Sequence, residues 1–147
     1  MEKRLETIIE PKPKERPRAS VIGGHARIYT PKTTETYENN IRNAWVQQNG
    51  DEPLTGPVVV RIHFGMPIPK SVSKKNRIQM LGRKIRPVTK PDIDNLAKSI
   101  LDAINGVAYK DDNQIVTLMA KKYYTEIPCV RVIVADWIPK EGEEIEH

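Results

Sequence analysis

The chain has 147 residues and a mass of 16.8 kDa, with 38% hydrophobic and 29% charged residues, enough to bury one core and short for two. No apolar run approaches the roughly 20 residues that cross a bilayer, and the first ten residues lack the apolar stretch of a secretion signal, so the expectation is a cytoplasmic protein with no membrane partner. The formal net charge is +5, and the tail 140–147 holds one Lys against four Glu, so a single domain over 1–139 is more basic still and suits a polyanionic partner. The single cysteine, Cys129, forms no intrachain disulfide, and His25, His63 and His147 are too scattered for a Cys/His zinc site, which leaves oxygen as the donor for any metal.

In chain order, residues 5–10 read as a strand, and a basic cluster of Lys12, Lys14, Arg16 and Arg18 follows among Pro11, Pro13 and Pro17. Residues 25–30 read as a second short strand. Over 34–49, Tyr37, Ile41, Ala44 and Trp45 recur at helical spacing, with Gly50 as a stop. Val58, Val60, Ile62 and Phe64 alternate with Val59, Arg61 and His63, the period of a strand with one buried face. The stretch 65–91 then carries Lys70, Lys74, Lys75, Arg77, Arg83, Lys84, Arg86 and Lys90 without one Asp or Glu, and its Gly, Pro and Ser predict a long loop. A second helix is expected over 92–105, with Ile93, Leu96, Ala97, Ile100, Leu101 and Ile104 on one side and Gly106 to end it. Residues 114–124 and 129–135 complete the set as strands. The sum is an α+β or mixed α/β domain in which two helices cover a small sheet.

The acids are the chemically pointed feature. Asp92 and Asp94 open the second helix, with Asp92 placed to cap it, while Asp94, Lys98 and Asp102 share a polar face. Asp111 and Asp112 follow in a turn that would return toward the helix start and bring a third acid to the first two. Like charges that close stay ionised only around a cation, and hard oxygen ligands suit Mg²⁺, with Mn²⁺ as a substitute. A metal there polarises a scissile phosphate, a nearby Lys stabilises developing charge, and the basic stretch brings the phosphate backbone to the acids.

The segments Lys90-Pro-Asp-Ile-Asp-Asn-Leu-Ala-Lys98, Leu101-Asp-Ala-Ile-Asn-Gly106 and Tyr109-Lys-Asp-Asp-Asn-Gln-Ile-Val116 resemble the signature of the RusA family of Holliday-junction resolvases. Arg16-Pro-Arg18, Tyr29-Thr-Pro31 and Ser71-Val-Ser-Lys-Lys75 are similar to its prophage-type members. The resemblance implies a homodimeric, Mg²⁺-dependent endodeoxyribonuclease that makes symmetry-related cuts in four-way DNA junctions during recombination and repair. It assigns Asp92, Asp94 and Asp112 as metal-binding catalytic acids and Lys98 as the catalytic-site lysine. Strand parity makes the same choice between the adjacent acids, since Asp112 shares the parity of Gln114, Val116, Leu118 and Ala120, the more apolar side of the next strand. DNA contacts are expected from Arg16 and Arg18 and from the eight cations of 65–91.

Two other readings compete. A nuclease of the PD…(D/E)-x-K type would use Pro91-Asp92, yet no Lys downstream has an acid two positions before it. A non-catalytic branched-DNA or RNA-binding module would use the basic stretch and tolerate Asp→Asn at every acid. The chain offers no helix-turn-helix or zinc finger, and 5% aromatic residues is poor for base stacking.

Overall fold

The computed structural model describes residues 1–16, 18–29 and 31–140. Six strands and three helices run in the order β1 (Glu2–Thr7), β2 (Arg18–Ile22), β3 (His25–Tyr29), α1 (Lys32–Asn49), β4 (Val58–Pro67), α2 (Lys74–Leu81), α3 (Ile93–Ala103), β5 (Ile115–Thr125) and β6 (Cys129–Asp136). A four-stranded sheet has the order β1-β6-β4-β5, with β4 and β5 parallel and the other pairs antiparallel. The expected mixed α/β domain, a small mixed sheet covered by two helices, is the fold observed.

The core follows from strand alternation. Val58, Val60, Ile62 and Phe64 of β4 and Val130, Val132 and Val134 of β6 are fully buried on one face, where they meet Tyr37, Ile41 and Trp45 of α1 and Leu96 and Ile100 of α3. These helical residues recur every three to four positions, so each helix turns one stripe inward. Gly50, at φ 80°, ends α1 and returns its N–H to the Val46 carbonyl at 2.7 Å, an arrangement that favours glycine.

Several boundaries differ from those expected. The first strand is Glu2–Thr7 rather than 5–10, because its partner β6 is met from Glu2 to Thr7, and Ile8–Glu10 run past the pairing. The strand expected over 25–30 is β3, and its hairpin partner β2 is an addition to the expected set; Thr30 lies outside the described residues. Ile93 is 36% exposed, so it stands outside the apolar stripe of α3. The acidic tail, Lys140 apart, also lies outside the described residues. Among the described residues no helix is long and apolar enough to cross a membrane.

The basic stretch is not the continuous loop expected. Ser73 caps α2 by accepting a bond from the Asn76 N–H at 3.2 Å, the role for which serine is preferred at a helix start. Only Met80 of this eight-residue helix is buried, so it has no apolar period for sequence reading to detect. After it, Arg83 and Arg86 lie over the Tyr123 ring at 4.2 and 5.7 Å, on the sheet face opposite α1 and α3.

Candidate functional site

The acids of α3 sit where the chain enters the helix. Asp92 occupies the N-cap position as expected, but its carboxylate accepts no capping bond, and Asp94 lies in the first turn. Both are exposed, and neither carboxylate has a hydrogen-bond or ion-pair partner among the described residues. A cap that makes no cap bond leaves its oxygens open to solvent and ligand while still meeting the positive end of the helix dipole. Beside them, Pro11, Pro13, Pro67, Pro87, Lys90 and Pro91 help to line a cleft of about 470 Å³.

Lys122 of β5 fixes the entry to this helix, a role that nothing in the sequence signals. Its ammonium donates to the carbonyls of Thr89 at 2.9 Å and Pro91 at 3.0 Å, while its own carbonyl accepts from the Arg86 guanidinium at 3.0 Å. The strand thus holds the residues just ahead of Asp92. One of two adjacent lysines in a strand carries no mark of such a role, because the partners are backbone carbonyls more than thirty residues away. Lys122→Met removes two charge-assisted bonds, each worth about 1.5–3 kcal/mol. The variant is expected to unfold several degrees lower than the unaltered chain, which thermal denaturation checks.

Lys98 lies one turn beyond Asp94, and its Nζ is 3.2 Å from Asp102 Oδ1. The other Asp102 oxygen is 3.2 Å from Lys14 Nζ, which also pairs with Glu38 of α1. Burial lowers the affinity of Lys14 for its proton, but the bonds and charge of Glu38 and Asp102 outweigh it and leave the pKa raised. Lys14 also donates its backbone N–H to the Asn95 carbonyl at 3.1 Å, so this basic cluster residue is a brace across α1 and α3.

Asp111 and Asp112 differ sharply. Asp111 caps the 3₁₀ turn Asp112–Gln114: its carboxylate accepts from the Asp112 N–H at 2.8 Å, and its own N–H donates to Gln114 Oε1 at 2.9 Å. The Gln114 amide then donates to the carbonyls of Leu54 and Gly56, at 2.9 Å each, which ties the turn to the chain entering β4. The Asp112 carboxylate has no partner among the described residues. Parity does not carry this distinction, because the register steps from Val58↔Ile115 to Val59↔Thr117 and leaves Val116 as a bulge, 55% exposed. Leu118 and Ala120 do align with Val60 and Ile62 on the helix side, but the bulge and the 3₁₀ turn break the count before Asp112.

The expected convergence of three acids is not formed within one chain. Among the described residues no three His, Cys, Asp or Glu side chains gather to hold a metal ion. The reason is topological. Parallel β4 and β5 need a crossover, α3 runs back along the sheet to supply it, and β5 begins where α3 ends. Asp112 therefore lies by the last turn of α3. There the Tyr109 hydroxyl bonds the Leu101 carbonyl at 2.6 Å, and burial, then the charge of Asp112, Asp102 and Asp111, raise its pKa. Leu101 lies nine positions beyond Asp92, about 13 Å along the helix. The donors fit a hard divalent cation in chemistry, being exposed or half-buried carboxylates free of protein partners, but one chain supplies the pair Asp92 and Asp94 apart from Asp112.

The expected DNA contacts divide in a similar way. Lys70, Lys74, Lys75, Lys84 and Lys90 are exposed with no side-chain partner among the described residues. Arg77 lies 3.7 Å from Glu126, and Arg83 and Arg86 are spread on Tyr123. On the same face His63 meets the Tyr123 hydroxyl at 3.3 Å, and burial with the charges of Arg131, Lys121 and Arg83 lowers its pKa, a sign of concentrated positive potential. Arg16 is exposed, and the side chain of Arg18 lies outside the described atoms.

The profile of the endodeoxyribonuclease RusA family matches residues 9–135. The chain belongs to the RusA family. That span takes in all of α1, α2 and α3, the cleft and the acids of both ends of α3. The family is one of Holliday-junction-resolving endonucleases that act on branched DNA, which bears out the resemblance read from the motifs. The chain is also 35% identical over 129 residues to the uncharacterized protein YqaN of Bacillus subtilis (strain 168), an alignment covering 86% of this chain and 91% of that one.

Proposed function

We propose that this RusA-family chain is a homodimeric, Mg²⁺-dependent endodeoxyribonuclease that resolves four-way junctions by paired cuts in recombination and repair. The observation that carries the reading is the set of exposed or half-buried carboxylates at the two ends of α3, Asp92 and Asp94 at one and Asp112 at the other, free of protein partners among the described residues. Asp92 and Asp94 form one half of the ligand set. Because Asp112 lies at the far end of α3, a second copy of the chain completes the set, so that a two-fold dimer has two composite sites, one for each of two strands. A divalent cation held by these carboxylates would polarise the scissile phosphate and would lower the pKa of an attacking water.

The chain's own groups do the remaining work. The free lysines of 70–90 hold the phosphate backbone, the Lys122 brace fixes the approach to Asp92, and Lys98 turns from Asp102 to stabilise charge developing on the phosphate. Its exchange of partners is cheap, since an exposed ion pair contributes about 1 kcal/mol or less. An assay of four-way, three-way and linear DNA tests the whole reading. Nicking of the four-way junction is expected with Mg²⁺ or Mn²⁺ and is expected to stop in EDTA; undiminished cleavage in EDTA would falsify the metal mechanism.

Salt dependence tests the basic surface separately. Replacing Lys74, Lys75 and Lys84 with Gln is expected to flatten the slope of log affinity against log salt by about 0.9 for each duplex phosphate that is no longer neutralised. Arg77, Arg83 and Arg86 are left intact in this variant because their guanidinium groups contact Glu126 and Tyr123. An unchanged slope places the DNA elsewhere.

A further inference from the structure

The hairpin of β2 and β3 stands apart from the main sheet, and among the described residues its strands pair only with each other. Gly23 and Gly24 form its tip with φ of 59° and 80°, both positive, as a tight two-residue hairpin turn requires. A lone two-stranded hairpin is marginally stable in water, so one with no layer against it calls for a partner. Its register divides the described side chains. Ser20 with Arg27, and His25 and Tyr29, fall on one face, whereas Ala19 with Ile28 and Val21 with Ala26 fall on the other. Both faces are open to solvent: Val21 is 74% and Ile28 77% exposed on one, and Tyr29 is 41% exposed on the other.

Charge decides between the possible occupants. From Arg16 to Thr34 the chain contains four arginine or lysine residues and one histidine, with no Asp or Glu. Two such hairpins meeting across a two-fold axis would set like charges against each other, whereas a phosphate backbone would neutralise them. A small apolar face with a basic one behind it is the pairing used by proteins that wedge aliphatic side chains between base steps and hold the flanking phosphates.

We infer that the β2–β3 hairpin is a DNA-engaging arm, which sets Arg27 and its face against phosphates and presses Val21 and Ile28 onto bases opened at the branch point. The inference rests on the branched-DNA reading above. It assigns the preference for branched over linear DNA to the apolar face of this arm, and general affinity to Arg27 together with the lysines of 70–90.

The test uses the full chain and a four-way junction with 2-aminopurine at the branch point, alongside a linear duplex of equal length. In the unaltered protein, binding is expected to raise the branch-point fluorescence as bases unstack. The double variant Val21→Ser and Ile28→Ser is expected to lose that rise and to bind the junction about tenfold more weakly, as for a wedge worth somewhat over 1 kcal/mol, with duplex affinity unchanged. Arg27→Gln is expected to weaken junction and duplex alike. An unchanged fluorescence rise and junction affinity in the double variant overturns the arm while the nuclease reading stands. Sedimentation showing that the double variant falls to monomers overturns it in favour of a second copy as occupant. If the unaltered protein neither prefers nor cuts the junction, the reading beneath falls and takes the arm with it.

Discussion

Asp92→Asn and Asp94→Asn are each expected to abolish junction cutting while junction binding persists or tightens. Each substitution keeps the shape of the side chain and removes one charged oxygen donor from the start of α3. Neither carboxylate makes a hydrogen bond or ion pair among the described residues, so neither change should cost the fold much. Losing the cation forfeits several kcal/mol of transition-state stabilisation, and about 4 kcal/mol corresponds to about a thousandfold in rate. Binding moves the other way, because removing a negative charge eases the approach of phosphate. Cleavage and junction affinity measured on the same folded preparations decide it. Loss of both together marks a structural role, and full cleavage with either variant removes that acid from the site.

The adjacent acids at the other end of α3 are expected to behave differently from each other. Asp112→Asn eliminates Mg²⁺-dependent cleavage, whereas Asp111→Asn leaves a measurable fraction of it. Asp111 is engaged as the cap of the 3₁₀ turn, a task that Asn performs nearly as well, and Asp112 is the member with open oxygens. An inactive Asp111 variant beside an active Asp112 variant reverses the assignment. A mixing experiment then asks which chain completes the site. In a mixed dimer of Asp92→Asn and Asp112→Asn chains, composite sites leave one site with both substitutions and the other with none. Nicking of one junction strand should therefore return on mixing two inactive proteins, without the paired cuts of resolution. Sites closed within a single chain would each keep one lesion, and mixing would restore nothing.

Local pattern was enough to specify much of this molecule. The alternation of Val58 to Phe64 and the spacing of Tyr37, Ile41 and Trp45 are periods that only a strand and a helix, respectively, can turn toward one core, and both elements lie where the periods place them. The 90–116 motifs likewise carried the family. Where the apolar signal is weak, the pattern runs out: α2 buries only Met80, and none of the described side chains of β2 is buried, so neither shows a period to read.

The arrangement of the site was a different kind of question. Which lysines are free and which arginines are spread on Tyr123, the bracing of Pro91 by Lys122, and the cap that occupies Asp111 all depend on groups brought together from distant parts of the chain. Sequence supplied the three acids and their donor chemistry. The crossover between parallel strands decided that Asp112 lies at the opposite end of α3 from Asp92 and Asp94, because a helix that returns along the sheet must deliver the next strand to the sheet's other end.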